Sequence, residues 1–388
     1  MMVPKRILPV IVFSQFASTS LWFVGNAIIT DLRTSMNVGI DDTGIVTSAI
    51  QLGFITGTLL FALLSISDRY SPRKLFLICS VLGAISNLLI YFIAHDLFSL
   101  LVIRFFTGFF LTGIYPIGMK IASGWYKKDL GNAIGLLVGA LVLGTAFPHL
   151  IKSFGSSVQW QKVIFIISVF SVVGGITMYV LVPDGPYISA GTKFNPNAVL
   201  RIFKYKELRS SAIGYFGHMW ELYTFWALIP VVLIYYLKLN SAELNISFWS
   251  FMIIASGAIG CVAGGVISKR IGSVKVAFFQ LLLSGVCCLI SPIMFYTSVP
   301  VFIAFLIFWG IVVVGDSPQY SAIIALSAPK ELVGSGLTLV NSIGFATTIL
   351  SLWFIYQFLD IINISFALMI LGLGPVLGLI SMKNIFSH

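Results

Sequence analysis

Runs of about twenty apolar residues, parted by short polar or Pro/Gly-containing breaks, recur along the whole chain. A helix rising about 1.5 Å per residue needs about 20 such residues to cross a hydrocarbon core about 30 Å thick. Cut at its charged and Pro/Gly-rich breaks, the sequence yields twelve segments of that length: 7–29, 43–65, 75–94, 97–119, 131–151, 161–182, 209–237, 246–268, 276–296, 300–326, 335–357 and 361–382. The pattern predicts an all-α membrane protein with twelve transmembrane helices. The first segment follows Lys5 and Arg6 as a signal peptide's would. Its apolar run exceeds a signal core of about 7–15 residues and no small-residue cleavage site follows, so it reads as a retained span.

Composition agrees with that solvent. Of 388 residues, 23 are Lys or Arg and 13 are Asp or Glu, so 9% are charged against 58% apolar, and the mean hydropathy is +1.02. A soluble chain carries roughly 25% charged residues. The shortfall excludes a water-soluble globule, a nucleic-acid binder and a disordered tail protein. The net charge of +10 is then a topology signal. With the amino terminus in the cytoplasm, eighteen Lys and Arg residues fall on that side and four (Arg33, Lys152, Lys162, Lys238) on the other. Such a bias places both termini in the cytoplasm of a cell inner (plasma) membrane. Cys79, Cys261, Cys287 and Cys288 lie in apolar runs without metal-ligand spacing, so neither a disulfide framework nor a metal site is expected. With no nucleotide-binding loop and no clustered catalytic set, the expectation is a protein that is not an enzyme, needs no cofactor and does not use ATP.

The two halves of the chain match. Ile66–Lys74 aligns with Ile267–Lys275 at an offset of 201; Gly108, Gly113 and Pro116 align with Gly310, Gly315 and Pro318 at 202; Lys128-Asp129-Leu130 aligns with Lys330-Glu331-Leu332. Three independent registrations within two residues of one another indicate a duplicated six-helix unit. The expected organisation is an N-terminal bundle over 1–182, a cytoplasmic linker over 183–208 and a C-terminal bundle over 209–388. Ala198–Arg209 mixes apolar and basic residues and suits either a short helix on the inner leaflet or a solvated basic connector.

On these residues the chain resembles the major facilitator superfamily over its whole length. Asp68-Arg69-Tyr70-Ser71-Pro72-Arg73-Lys74 is similar to the family's loop motif between spans two and three, with Leu64, Ser71 and Pro72 departing from it. The second copy keeps Gly265, Arg270, Gly272 and Lys275 but has Lys269 in place of the Asp. Arg104 with Gly108, Gly113 and Pro116 resembles the fourth-span motif of many proton-coupled members. The resemblance implies two pseudo-symmetric six-helix bundles around a central cavity that opens alternately to each side. It also implies that Asp68, Arg69, Arg73 and Arg270 act as a cytoplasmic gate. The Gly-Pro pair of drug/proton antiporters is missing from span five, where Ala140 follows Gly139, and the arginines of nitrate porters are missing from spans two and eight.

An ionisable group at the bilayer centre costs about 2.5–3.5 kcal/mol on insertion scales, so each one is a functional candidate. Glu221 lies 12 residues past Arg209, about 18 Å into its span. His218 is one turn earlier on the same face as Gly214 and Phe225. Carboxyl and imidazole groups in a water-poor site can exchange protons near neutrality, so Glu221 with His218 is the first proton-coupling candidate. Asp316, in Gly315-Asp316-Ser317-Pro318, is the second, with Tyr320 one turn below and Trp309 two turns above. A neutral, hydrogen-bonded Glu221 and an Asp316 that merely satisfies the backbone beside Pro318 are the alternatives. Arg104, a cation inside a span, needs a carboxylate, a substrate anion or an aromatic face. Glu221 and Asp316 are candidate carboxylates.

Gln15, Thr19, Trp22 and Asn26 recur at helical spacing in the first span. With Gln51, Tyr115, Trp220, Tyr223, Trp226 and Asn341 they form a neutral lining that suits a small, partly apolar organic solute; helix packing and interface anchoring are the competing use. The expected function is proton-coupled secondary transport of such a solute, with uptake by symport favoured and drug or metabolite efflux by antiport as the alternative. Its partners are then the solute, protons and the lipid bilayer, not nucleic acid, and it is expected to work as a monomer.

Overall fold

Inside hydrocarbon no water is available to the backbone, so an apolar run must close its own N–H and C=O groups as a helix. The computed structural model describes residues 3–36, 42–126, 130–155, 158–187, 203–327, 333–359 and 362–386. Among these, eleven helical stretches are long and apolar enough to cross a membrane, and Ile7–Thr19 is a shorter apolar helix. The first span is broken into Ile7–Thr19, Val24–Ala27 and Ile29–Met36. Asp42–Leu63, Pro72–Ile93, the pair Leu97–Leu111 and Tyr115–Trp125, Leu130–Ser153 and Trp160–Leu181 are spans two to six. Lys206–Asn240, Ile246–Ile271, Ser273–Met294, the pair Val299–Gly315 and Ser317–Ser327, Val333–Phe358, and the pair Ile364–Ile370 and Leu373–Phe386 are spans seven to twelve.

Two compact units, Met1–Phe194 and Asn195–His388, divide the chain. Of the linker, Tyr187 N donates to Gly124 O and Pro183 O accepts from the Trp125 indole, so 183–187 packs on the first unit. Lys206–Arg209 is not a separate surface helix but the first turn of the seventh span. Ala198–Ile202 lies outside the described residues, as do Lys128-Asp129 and Lys330-Glu331-Leu332.

The repeat is visible in the packing of each unit taken alone. In the first, a Cβ on Gly53, Gly57 or Gly108 would run into the carbonyls of Phe105, Phe109 or Ile50, so spans two and four touch backbone to backbone. In the second, Gly260 and Gly310 meet the carbonyls of Ile311 and Ile253 in the same way, and Ser256, at the place of Gly53, donates to Ile307 O at 3.0 Å. Close approach of this kind holds membrane helices by van der Waals contact, because lipid is as apolar as the side chains themselves. Spans four and ten also break at equivalent places, after Leu111 and after Gly315. Pro116 and Pro318 stand second in the helices that follow, where no N–H is needed. At the start of span four, Asp96 caps the helix by accepting from Ser99 N at 2.8 Å. The Ser99 hydroxyl and N–H hold its carboxyl below the ordinary aspartate range.

Candidate functional site

The polar core of the second unit is built on the seventh span. Burial there is nearly complete: His218, Glu221, Asp316 and Tyr320 are each at most 1% exposed. Glu221 Oε1 accepts from the Trp309 indole at 2.6 Å and from the Cys288 thiol at 3.4 Å, and Oε2 accepts from the Ser284 hydroxyl at 2.9 Å. These donors come from spans nine and ten, so one carboxyl ties three helices together. An ionised carboxylate is an acceptor only, and three neutral donors suit that form.

His218 takes a different partner. Its Nδ1 lies 2.8 Å from Asp316 Oδ1, a contact that becomes an ion pair when the imidazole is protonated. His218 and Glu221 are one turn apart on the seventh span, and both reach span ten at different residues, His218 at Asp316 and Glu221 at Trp309, while Glu221 also meets Ser284 and Cys288 of span nine. Asp316 owes its place to the break in span ten. It caps Val299–Gly315, and its carbonyl accepts from Gln319 N and Tyr320 N to begin the next helix. From this break the Asp316 carboxyl reaches His218. Tyr215, His218 and Tyr320 form a ring cluster with centroids 5.8–6.1 Å apart, and the Tyr320 hydroxyl donates to Met382 Sδ at 3.0 Å.

In the first unit the residues expected on one helical face are separated by the break after Thr19. Arg104, fully buried, donates from Nη1 to Leu21 O at 3.3 Å and from Nη2 to Trp22 O. Among the described residues its hydrogen-bond partners are carbonyls at the helix break, which a fixed fork of N–H donors matches. Replacing Arg104 with Leu removes both bonds, and a fall in stability of about 1–3 kcal/mol per stranded carbonyl is expected, read as a lower melting temperature in detergent.

Trp22 packs on Phe54 at 4.9 Å and Tyr115 at 6.5 Å, and Asn26 donates to Thr47 Oγ1 at 2.8 Å. Gln15 and Gln51 are fully buried, and neither amide has a hydrogen-bond partner among the described residues. In the second unit Tyr223 packs with Trp226 and Phe345, each at 5.2 Å, while Trp220 lies 6.0 Å from Phe354 and accepts from Ser351 through its carbonyl. Asn341 is half-buried. The structure thus brings Trp22 and Tyr115 together in one unit and His218, Asp316 and Tyr320 in the other.

The sequence model of the Major Facilitator Superfamily matches residues 11–352. The chain belongs to the major facilitator superfamily. It is a membrane transporter of that superfamily, and the crystal structure of the human organic anion transporter MFSD10 (TETRAN) has the same fold. That likeness has a TM-score of 0.72 at 14% identity, over 97% of this chain and 99% of that one. Comparison with curated proteins finds no match.

The superfamily's loop motif is engaged within the first unit. Asp68 pairs with Lys120, whose ammonium also donates to Ser67 O. Arg73 lies 3.7 Å from Asp184, donates to Tyr179 O at 3.3 Å and covers the Tyr179 ring at 5.3 Å, while Ser71 donates to Asp184 at 2.9 Å. Arg69 and Arg270 are exposed and form no ion pair with a described residue. Sequence reading missed Lys120 and Asp184, because neither belongs to the motif they serve. It also missed His149, 2% exposed, with no partner for Nε2 among the described residues. Its signal was present: an imidazole inside an apolar run, directly after Pro148.

Proposed function

We propose that this superfamily transporter is a proton-coupled secondary transporter of a small organic solute, working by alternating access in the cell inner membrane with both termini cytoplasmic. The observation that carries the reading is the buried contact of His218 with Asp316. An imidazole and a carboxyl in hydrocarbon are expensive to keep, and together they can hold a proton or lose it. With His218 charged and Asp316 ionised the contact is an attraction. A proton on Asp316 removes that attraction and releases the break of span ten, a change of contact that can bias one transport state over another. Glu221, with its acceptors already filled, serves as a fixed brace for the helices around the pair.

The solute is small and partly apolar. Supporting this, the buried Gln15 and Gln51 amides have bonding capacity to spare and lie in the same unit as the Trp22–Phe54–Tyr115 cluster. Arg104 places Nη1 and Nη2 on carbonyls of its own unit, and its Nε is buried without a hydrogen-bond partner among the described residues. Uptake by symport is favoured over efflux by antiport, since the antiporter Gly-Pro pair is missing.

The test uses purified protein in vesicles loaded with a pH-sensitive dye. Metabolite pools of amino acids, carboxylates, amines and nucleosides are added outside, and internal acidification together with solute entry is expected for one pool. Solute movement unaccompanied by proton movement would remove the coupling. A second expectation concerns the loop motif: Asp68→Asn frees Lys120 and slows transport several-fold, while solute-induced thermal stabilisation stays near normal. Lost binding with intact turnover is the wrong outcome for a gate.

A further inference from the structure

The third and sixth spans of the first unit enclose a groove of about 370 Å³ near the end of Pro72–Ile93 and the start of Trp160–Leu181. Its walls are Leu88, Tyr91, Phe92, Phe165 and Ile166, with Gln161 and Lys162 one turn nearer the helix terminus. Phe92 and Phe165 are 58% and 59% exposed on a membrane-spanning face. Surface of that kind is covered by acyl chains. What distinguishes this groove is its polar end. Lys162 is exposed and forms no ion pair with a described residue. Gln161 Oε1 is buried without a hydrogen-bond partner among the described residues. Beside them the rings of Tyr91 and Trp160 lie 6.4 Å apart, the aromatic type that settles at headgroup depth.

We propose that the groove binds a phospholipid, one acyl chain lying along Phe92, Phe165 and Ile166 and the phosphate resting on the Lys162 ammonium. An apolar slot ending in one unpaired cation matches the order of parts in a phospholipid: chain, then anionic phosphate. The site is separate from the polar core of either unit and stands whether or not protons drive transport.

The experiment incubates the full-length protein in detergent with phosphatidylglycerol and counts retained lipid by native mass spectrometry. Wild type is expected to keep the lipid, and Lys162→Ala to keep about fivefold less, the effect of one basic residue at a lipid surface. Lys238→Ala, which removes an exposed lysine at a helix end of the second unit, is expected to match wild type. Equal retention by Lys162→Ala and wild type overturns the proposal. So does an equal loss in both variants, which would mean general attraction to border charge. Both lysines are exposed, and unchanged melting temperatures will show that folding is not the variable.

Discussion

The Asp316→Asn protein will exchange solute across a vesicle membrane but will not accumulate it against an imposed pH gradient. With one proton carried per solute, wild type accumulates about tenfold per pH unit, since one unit corresponds to about 1.4 kcal/mol. An asparagine cannot carry that proton, so the ratio falls to one. Counterflow with equal pH on both sides separates lost coupling from lost transport: coupling alone is lost if exchange persists. Glu221→Gln gives the contrast. Its amide turns a donor toward the Trp309, Cys288 and Ser284 donors, which costs about 1–3 kcal/mol of stability but leaves pH-driven accumulation in place. Accumulation lost with Glu221→Gln and kept with Asp316→Asn would reverse the two roles.

Gly108→Ala is expected to have the largest structural effect. The added methyl falls on the Ile50 carbonyl, which is helix backbone and cannot turn aside as a side chain would. Spans two and four must part, at a cost of about 1–3 kcal/mol or more for overpacking. Gly131→Ala is the control, because nothing lies within 4 Å of its Cβ position. A surface change of that kind stays within about 0.5 kcal/mol. Melting temperatures of the two variants in the same detergent check the contrast, and equal melting would contradict the backbone contact.

The fold was legible because its largest cost is local. Each apolar run pays or avoids insertion energy by its own residues, so twelve spans could be counted before any packing was known. The breaks of spans four and ten were also marked, by Gly113 with Pro116 and Gly315 with Pro318. The break of the first span was not. Leu21-Trp22-Phe23 reads as helix, and the carbonyls of Leu21 and Trp22 are taken up by an arginine 83 and 82 residues away. The candidate site divided in the same way. Glu221, His218, Asp316 and Arg104 stood out as charges in apolar runs, yet Glu221 bonds to Trp309 88 residues on. His149 escaped notice although its signal was of the same kind.

By itself the sequence determined the solvent, the number of spans, the duplication and the few residues too costly to be incidental. Those properties depend on residue type and spacing alone, summed along the chain. Only the tertiary structure decided the partners: Asp316 for His218, three neutral donors for Glu221, two carbonyls for Arg104. A partner depends on how each helix is rotated and where it is interrupted against its neighbours, and that is fixed by contacts tens of residues apart.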